Sequence, residues 1–139
     1  MNLEKEQEIY TRFSNIFKNK DHTSSCMIYG LDIGDGWTDL FVNMLEEIEA
    51  YEATDHVKHK IENEIYHKVV AAQVKEKFGG LRFYYDGGDE NIAEIVHRAE
   101  KLSTKVCESC SAAGKPTKSG WIRTLCDVCE ENRYKKTKE

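Results

Sequence analysis

Two cysteine pairs near the C-terminal end, Cys107-Glu-Ser-Cys110 and Cys126-Asp-Val-Cys129, constrain this chain more than any other feature. The fifteen residues between them give the pattern C-x2-C-x15-C-x2-C, whose spacing suits a structural zinc site. Two thiolates three positions apart on a tight turn can face one ion, and two such turns supply the corners of a tetrahedron. Cys107, Cys110, Cys126 and Cys129 are therefore the expected ligands of one structural zinc ion, with thiol chemistry as the alternative. Four sulfur ligands leave the ion no open position for water, which points away from metal catalysis.

The 139 residues are 40% hydrophobic and 32% charged, which suits a soluble globular chain whose modest core benefits from a metal clamp. The longest plain apolar run, Val69-Val70-Ala71-Ala72, is far too short to span a bilayer. The first eight residues are charged and unlike a signal peptide, so a cytoplasmic protein with reduced cysteines and no membrane partner is expected. Cys26, the odd fifth cysteine, reads as a small buried or half-buried side chain. Residues 1–100 hold 11 Lys/Arg against 20 Asp/Glu, a charge of -9, whereas residues 101–139 hold 9 against 5, a charge of +4. An acidic body with a basic end disfavours coating nucleic acid wholesale and allows a local contact with an anionic partner.

Along the chain, Ile9, Phe13, Ile16 and Phe17 lie on one helical stripe and predict a helix over residues 3–19. Cys26-Met27-Ile28-Tyr29 reads as a short extended piece. In Gly34-Asp35-Gly36-Trp37 the two glycines signal a tight turn with at least one positive φ. Thr38 or Asp39 would then cap a helix running to residue 52, buried along Leu40, Phe41, Met44, Leu45, Ile48 and Tyr51. Trp37 is an aromatic plug under that helix or the floor of a ligand pocket, and the plug is preferred. Val57, Ile61 and Ile65 suggest a further helix, with His56 and His59 on its surface.

The period then changes to two. Val70, Ala72 and Val74, then Leu81, Phe83 and Tyr85, form two alternating runs around a turn at Gly79-Gly80, which is a β-hairpin. Its open face would carry Lys75, Lys77, Arg82 and Tyr84, three cations beside an aromatic ring, able to hold a phosphate and stack a base or simply solvated. Asp89 caps a last body helix buried through Ile92, Ile95, Val96, Ala99 and Leu102, with His97 packed at the edge of the stripe. In the cysteine module, residues 111–116 form the first knuckle's turn and residues 121–125 a short strand, with Trp121 and Leu125 as apolar cover. Residues 127–134 close the module as a helical turn. The predicted fold class is α+β: helices packed on a small antiparallel β-hairpin, with a C-terminal zinc-ribbon-like module. The predicted organisation is a body over residues 1–104, a zinc-binding module over 105–134 and a frayed tail over 135–139.

Gly34-Asp35-Gly36-Trp37, the run Gln73-Val74-Lys75-Glu76-Lys77-Phe78-Gly79-Gly80-Leu81-Arg82-Phe83-Tyr84-Tyr85, and Gly120-Trp121-Ile122-Arg123-Thr124-Leu125-Cys126-Asp127 together resemble a family of small bacteriophage and prophage proteins. The resemblance spans residues 30–130. It implies a phage source and a shared fold, and it carries no catalytic residues.

Three functions follow from these readings. The first is a non-enzymatic phage accessory protein that binds and modulates a host protein, such as a defence component. The second is a nucleic-acid-binding zinc ribbon, in which Lys115, Lys118, Arg123, Arg133, Lys135 and Lys136 meet phosphates and Trp121 stacks on a base. The third is capture of a phosphorylated nucleotide between the turn holding Asp35 and Trp37 and the Lys75/Lys77/Arg82 face. Asp35 and Asp39 could pair as acid and base, but capping explains them more simply.

Overall fold

The structure, a computed structural model, describes residues 1–118 and 120–138. Helix α1 (Leu3–Arg12) starts at Asn2, whose side-chain oxygen accepts from the Glu4 and Lys5 amides. It is shorter than the stripe predicts. Past Arg12 the chain runs in turns, and the Ile16 carbonyl accepts the Ala71 amide at 2.8 Å, a tertiary bond that takes this backbone out of the helix. Phe13, Ile16 and Phe17 are still buried, so the stripe reports burial correctly and helix length incorrectly.

Residues Cys26–Tyr29 form a 3-10 turn, not an extended piece, because Ser25 Oγ accepts the Met27 amide at 3.1 Å and caps it. A two-residue strand, β1 (Leu31–Asp32), follows without any sequence signal of its own. The long helix α2 (Thr38–Glu52) begins two residues before Leu40. No side chain caps its first turn; it grows directly out of a 3-10 turn over Asp35–Trp37. Thr54 caps α3 (Asp55–Glu62), which buries Val57 but ends before Ile65, left exposed.

The hairpin is β2 (Val70–Lys77) antiparallel to β3 (Gly80–Asp86), and β1 adds to β2 in parallel, giving the order β1-β2-β3. The turn residues are Phe78 and Gly79, both with positive φ, while Gly80 pairs with Lys77. This is a two-residue turn of the mirror-image kind that matches strand twist, one position earlier than the glycines alone imply. A bulge between Ala71 and Gln73 shifts the alternation, so that Ala71 and Val74 face the core instead of Val70 and Ala72. Beyond the turn, Leu81 and Phe83 are buried as expected.

Asp89 accepts the Asn91 and Ile92 amides at the start of α4 (Glu90–Ser103), which packs on α2 and β3. Ile92, Ile95 and Val96 are buried, whereas Leu102 and His97 are exposed, against the expected packed histidine. Trp37, Phe41, Leu45, Ile48, Val74, Leu81, Phe83 and Ile92 make the centre of the core, with the Phe41 and Phe83 rings 6.0 Å apart. Each such side chain contributes about 1.5–3 kcal/mol on burial. In the cysteine module, β4 (Lys115–Pro116) pairs antiparallel with β5 (Thr124–Leu125), and α5 (Asp127–Lys138) closes it. The expected frayed tail overlaps the end of α5, and its last residue, Glu139, lies outside the described residues. Among the described residues, no helix is long and apolar enough to cross a membrane.

Candidate metal centre

The α4 helix delivers the chain to the first knuckle. There the Cys107 carbonyl accepts the Ser111 amide at 3.0 Å, and Ser111 turns back with a φ of 74°. The second knuckle leads from β5 into α5: the Cys126 carbonyl accepts the Glu130 amide at 2.9 Å and its Sγ accepts the Cys129 amide at 3.4 Å. The β4–β5 ladder fixes one knuckle against the other, reinforced by the Glu108 amide donating to the Thr124 carbonyl at 3.0 Å.

These bonds bring the Sγ atoms of Cys107, Cys110, Cys126 and Cys129 within 4.8 Å of one another, with Cys110 and Cys126 at 3.6 Å. A tetrahedral ion with metal–sulfur bonds of about 2.3 Å requires sulfur–sulfur edges of about 3.8 Å, so the donor set fits such an ion. Cys107 is fully buried and Cys110 lies at the surface. Burial would raise the Cys107 thiol, but backbone hydrogen bonds from Cys126, Cys110 and Ser109 outweigh it and hold it at about 7. Neighbouring thiols act oppositely on Cys129, where Cys126 and Cys110 push it to about 12. One thiolate forms readily and further ones repel it. A cation is what allows all four to ionise together.

The module is locked to the rest of the chain by the motifs quoted above. The Gly36 amide donates to the Glu108 carbonyl at 2.9 Å, and Ser111 Oγ donates to the Gly36 carbonyl at 2.6 Å. A Cβ on Gly34 would stand 2.2 Å from the Glu108 carbonyl oxygen, and one on Gly36 the same distance from that of Cys107. Neither glycine has a positive φ; the expectation of a left-handed residue here is incorrect, and close backbone approach is the reason for both. Trp37 is 0% exposed and donates its indole N–H to the Val106 carbonyl at 2.8 Å, which makes it a plug and removes it as a pocket floor. On the hairpin side, Thr124 Oγ1 donates to the Gly79 carbonyl at 2.6 Å.

Of the other expected site residues, Lys75, Arg82 and Tyr84 share the open face of the hairpin, as the alternation predicts. Asp35 is exposed and its Oδ1 accepts the Asn2 amide at 2.7 Å. Lys75 lies opposite Arg82 and next to Asp32 on the open face of the sheet, with Gln73 and Tyr84 opposite each other alongside. With Trp37 sealed and the 34–37 turn pressed on the knuckle, a pocket uniting that turn with the Lys75, Lys77 and Arg82 face loses its aromatic floor. Arg123 is engaged within the module: its Nε donates to the buried Glu108 carboxylate at 2.5 Å. Trp121 is 69% exposed and stands outside β5, so Leu125 alone of the two supplies apolar cover. The side chains of Lys135 and Lys136 lie outside the described residues.

Glu108 and Ser111 were not legible as functional. Polar residues inside or just after a C-x2-C turn look solvated in sequence, and only the docking of the knuckle shows that Glu108 bridges it to β5 and Ser111 to Gly36. Comparison with family models, with curated proteins and with solved structures finds no match.

Proposed function

We propose that the protein is a zinc-stapled recognition protein, a phage-type accessory factor that binds and modulates a host protein and does so without catalysing a reaction. One observation supports the metal reading: four thiols from two knuckles stand within 4.8 Å of one another, a cluster compact enough for one ion to draw onto the edges of about 3.8 Å that tetrahedral zinc requires. Four protein sulfurs fill zinc's coordination, so the ion acts as a structural clamp. It holds the knuckles while the carbonyls of Val106, Cys107 and Glu108 meet the Gly34–Trp37 turn. The phage context and the host partner rest on the sequence resemblance and on the acidic body. Metal analysis of chelator-free protein is expected to give one zinc per chain, falling to none in Cys107→Ser/Cys126→Ser. Affinity capture with the zinc-loaded protein, repeated across several bacterial hosts and returning no specific partner, would sink the host-protein reading.

A second reading has its own support. Trp121 and Phe78 are 69% and 63% exposed, and the Lys77 ammonium sits 5.7 Å from the Phe78 ring centre, an arrangement on which an unpaired base can stack. Gel shifts at low salt with single-stranded probes test it. Retardation that vanishes with added salt and in Trp121→Ala supports nucleic-acid binding, and no shift at micromolar protein removes it.

A further inference from the structure

A cavity of about 450 Å³ opens between the C-terminal end of α2, α3 and the residues that enter β2, remote in sequence from the cysteines. Ile16, Ile61 and Val69 give it apolar walls. At its edge lies Glu52, a carboxylate-bearing residue only 7% exposed. A carboxylate buried to that degree ordinarily has all its acceptor positions served, because leaving one unpaired is costly. Glu52 is served on one side only. Its Oε2 accepts the Tyr66 hydroxyl at 2.8 Å and the Val69 amide at 2.9 Å, both buried bonds. No group among the described residues donates to Oε1, and no ion pair reaches it, although Lys58 and Lys68 line the same cavity. Nor is Oε1 a dry, sealed atom. Its accessible surface belongs to a residue that lines the cavity.

Tyr66 sharpens the arrangement. Burial, then its bond to Glu52, push its hydroxyl well above the ordinary tyrosine value, so it remains a proton donor and fixes the carboxylate in place. The result is a pre-oriented acceptor at the edge of an apolar hollow, on a body whose residues 1–100 carry a charge of -9. We infer that this cavity binds a cationic nitrogen head, ammonium or guanidinium, carried on a short apolar stem, with Glu52 Oε1 as its acceptor and Ile16, Ile61 and Val69 around the stem. The head could belong to a free small molecule or to a basic side chain of a partner protein.

The zinc-loaded full chain is titrated with n-butylguanidinium and with neutral n-butylurea, and binding is read from amide chemical shifts. Saturable shifts around residues 49–69 are expected with the cation, at least tenfold weaker with the urea and at least tenfold weaker in Glu52→Gln. Should Glu52→Gln fold poorly, Ala53→Phe is the second variant: Ala53 is exposed and lines the cavity, so added bulk there should obstruct it while leaving the Glu52 carboxylate in place. Its melting temperature should hold while binding is lost. Equal binding of cation and urea, equal binding by the variants, or no saturation at all overturns the inference. Free arginine and a blocked arginine dipeptide separate the two sources: saturation by either supports the site and shows which form it accepts. Zinc content is unaffected by any of these outcomes, so the metal reading stands or falls separately.

Discussion

Gly36→Ala tests whether the Gly-Asp-Gly-Trp motif exists to seat the metal knuckle. The added methyl would stand 2.2 Å from the Cys107 carbonyl oxygen and 2.6 Å from the Glu108 carbonyl carbon, both backbone atoms that no rotamer change can move. The knuckle must therefore shift bodily. Overpacking of this kind costs about 1–3 kcal/mol. Displacement also weakens the Gly36 amide bond to the Glu108 carbonyl and the Ser111 hydroxyl bond to the Gly36 carbonyl, each worth about 1 kcal/mol. The sum is about 3–5 kcal/mol, a large part of the stability of an ordinary domain. For a chain of this length it corresponds to a fall in melting temperature of about 10–15 °C. Circular dichroism melts of zinc-loaded wild type and variant measure the fall, and a colorimetric chelator measures whether zinc is released faster. A variant that melts within about 2 °C of wild type and holds its zinc equally would refute the seating argument.

Other perturbations probe separate parts of the fold. Thr124→Val keeps the shape but leaves the Gly79 carbonyl without its 2.6 Å donor inside the interface, and should cost about 1–3 kcal/mol by urea denaturation. Asp89→Asn keeps a capping acceptor at the start of α4 and removes the carboxylate's charge. Burial would raise the Asp89 carboxyl, but the Tyr51 hydroxyl, the Ile92 and Asn91 amides and Lys60 outweigh it and hold the group below the usual range. The charge's contribution, about 1 kcal/mol from the stronger hydrogen bonds a carboxylate accepts, is thus complete above the unfolded-state value of about 3.9 and disappears as pH falls through the lower folded value. Wild type and variant should differ at pH 7 and converge near pH 2 in urea midpoints. Chelation should abolish hydrogen-exchange protection of the Cys107, Glu108 and Cys129 amides while the β2–β3 ladder keeps its own, as expected if the metal clamps the module.

Periodicity and spacing determined much of this protein before any coordinates. The cysteine pairs, the α2 and α4 stripes and the hairpin each rest on neighbours close in sequence, where side-chain direction follows from a period of 3.6 or 2. Asp89 as a cap and Leu81 and Phe83 as core residues are legible for the same reason. The tertiary structure decided everything that depends on two distant stretches meeting. Gly34 and Gly36 read as turn formers but serve a backbone contact more than seventy positions away. Trp37 offered two roles until the Val106 carbonyl was found beside its indole. The end of α1 was set by Ala71, the face of β2 by a bulge, and the position of Arg123 by a buried Glu108. Glu52 shows the limit most clearly, since a glutamate on a helix has no sequence mark that tells a solvated charge from one held by Tyr66 and Val69 at the edge of a cavity. Local pattern encodes which way a side chain points; only the folded chain supplies what it points at.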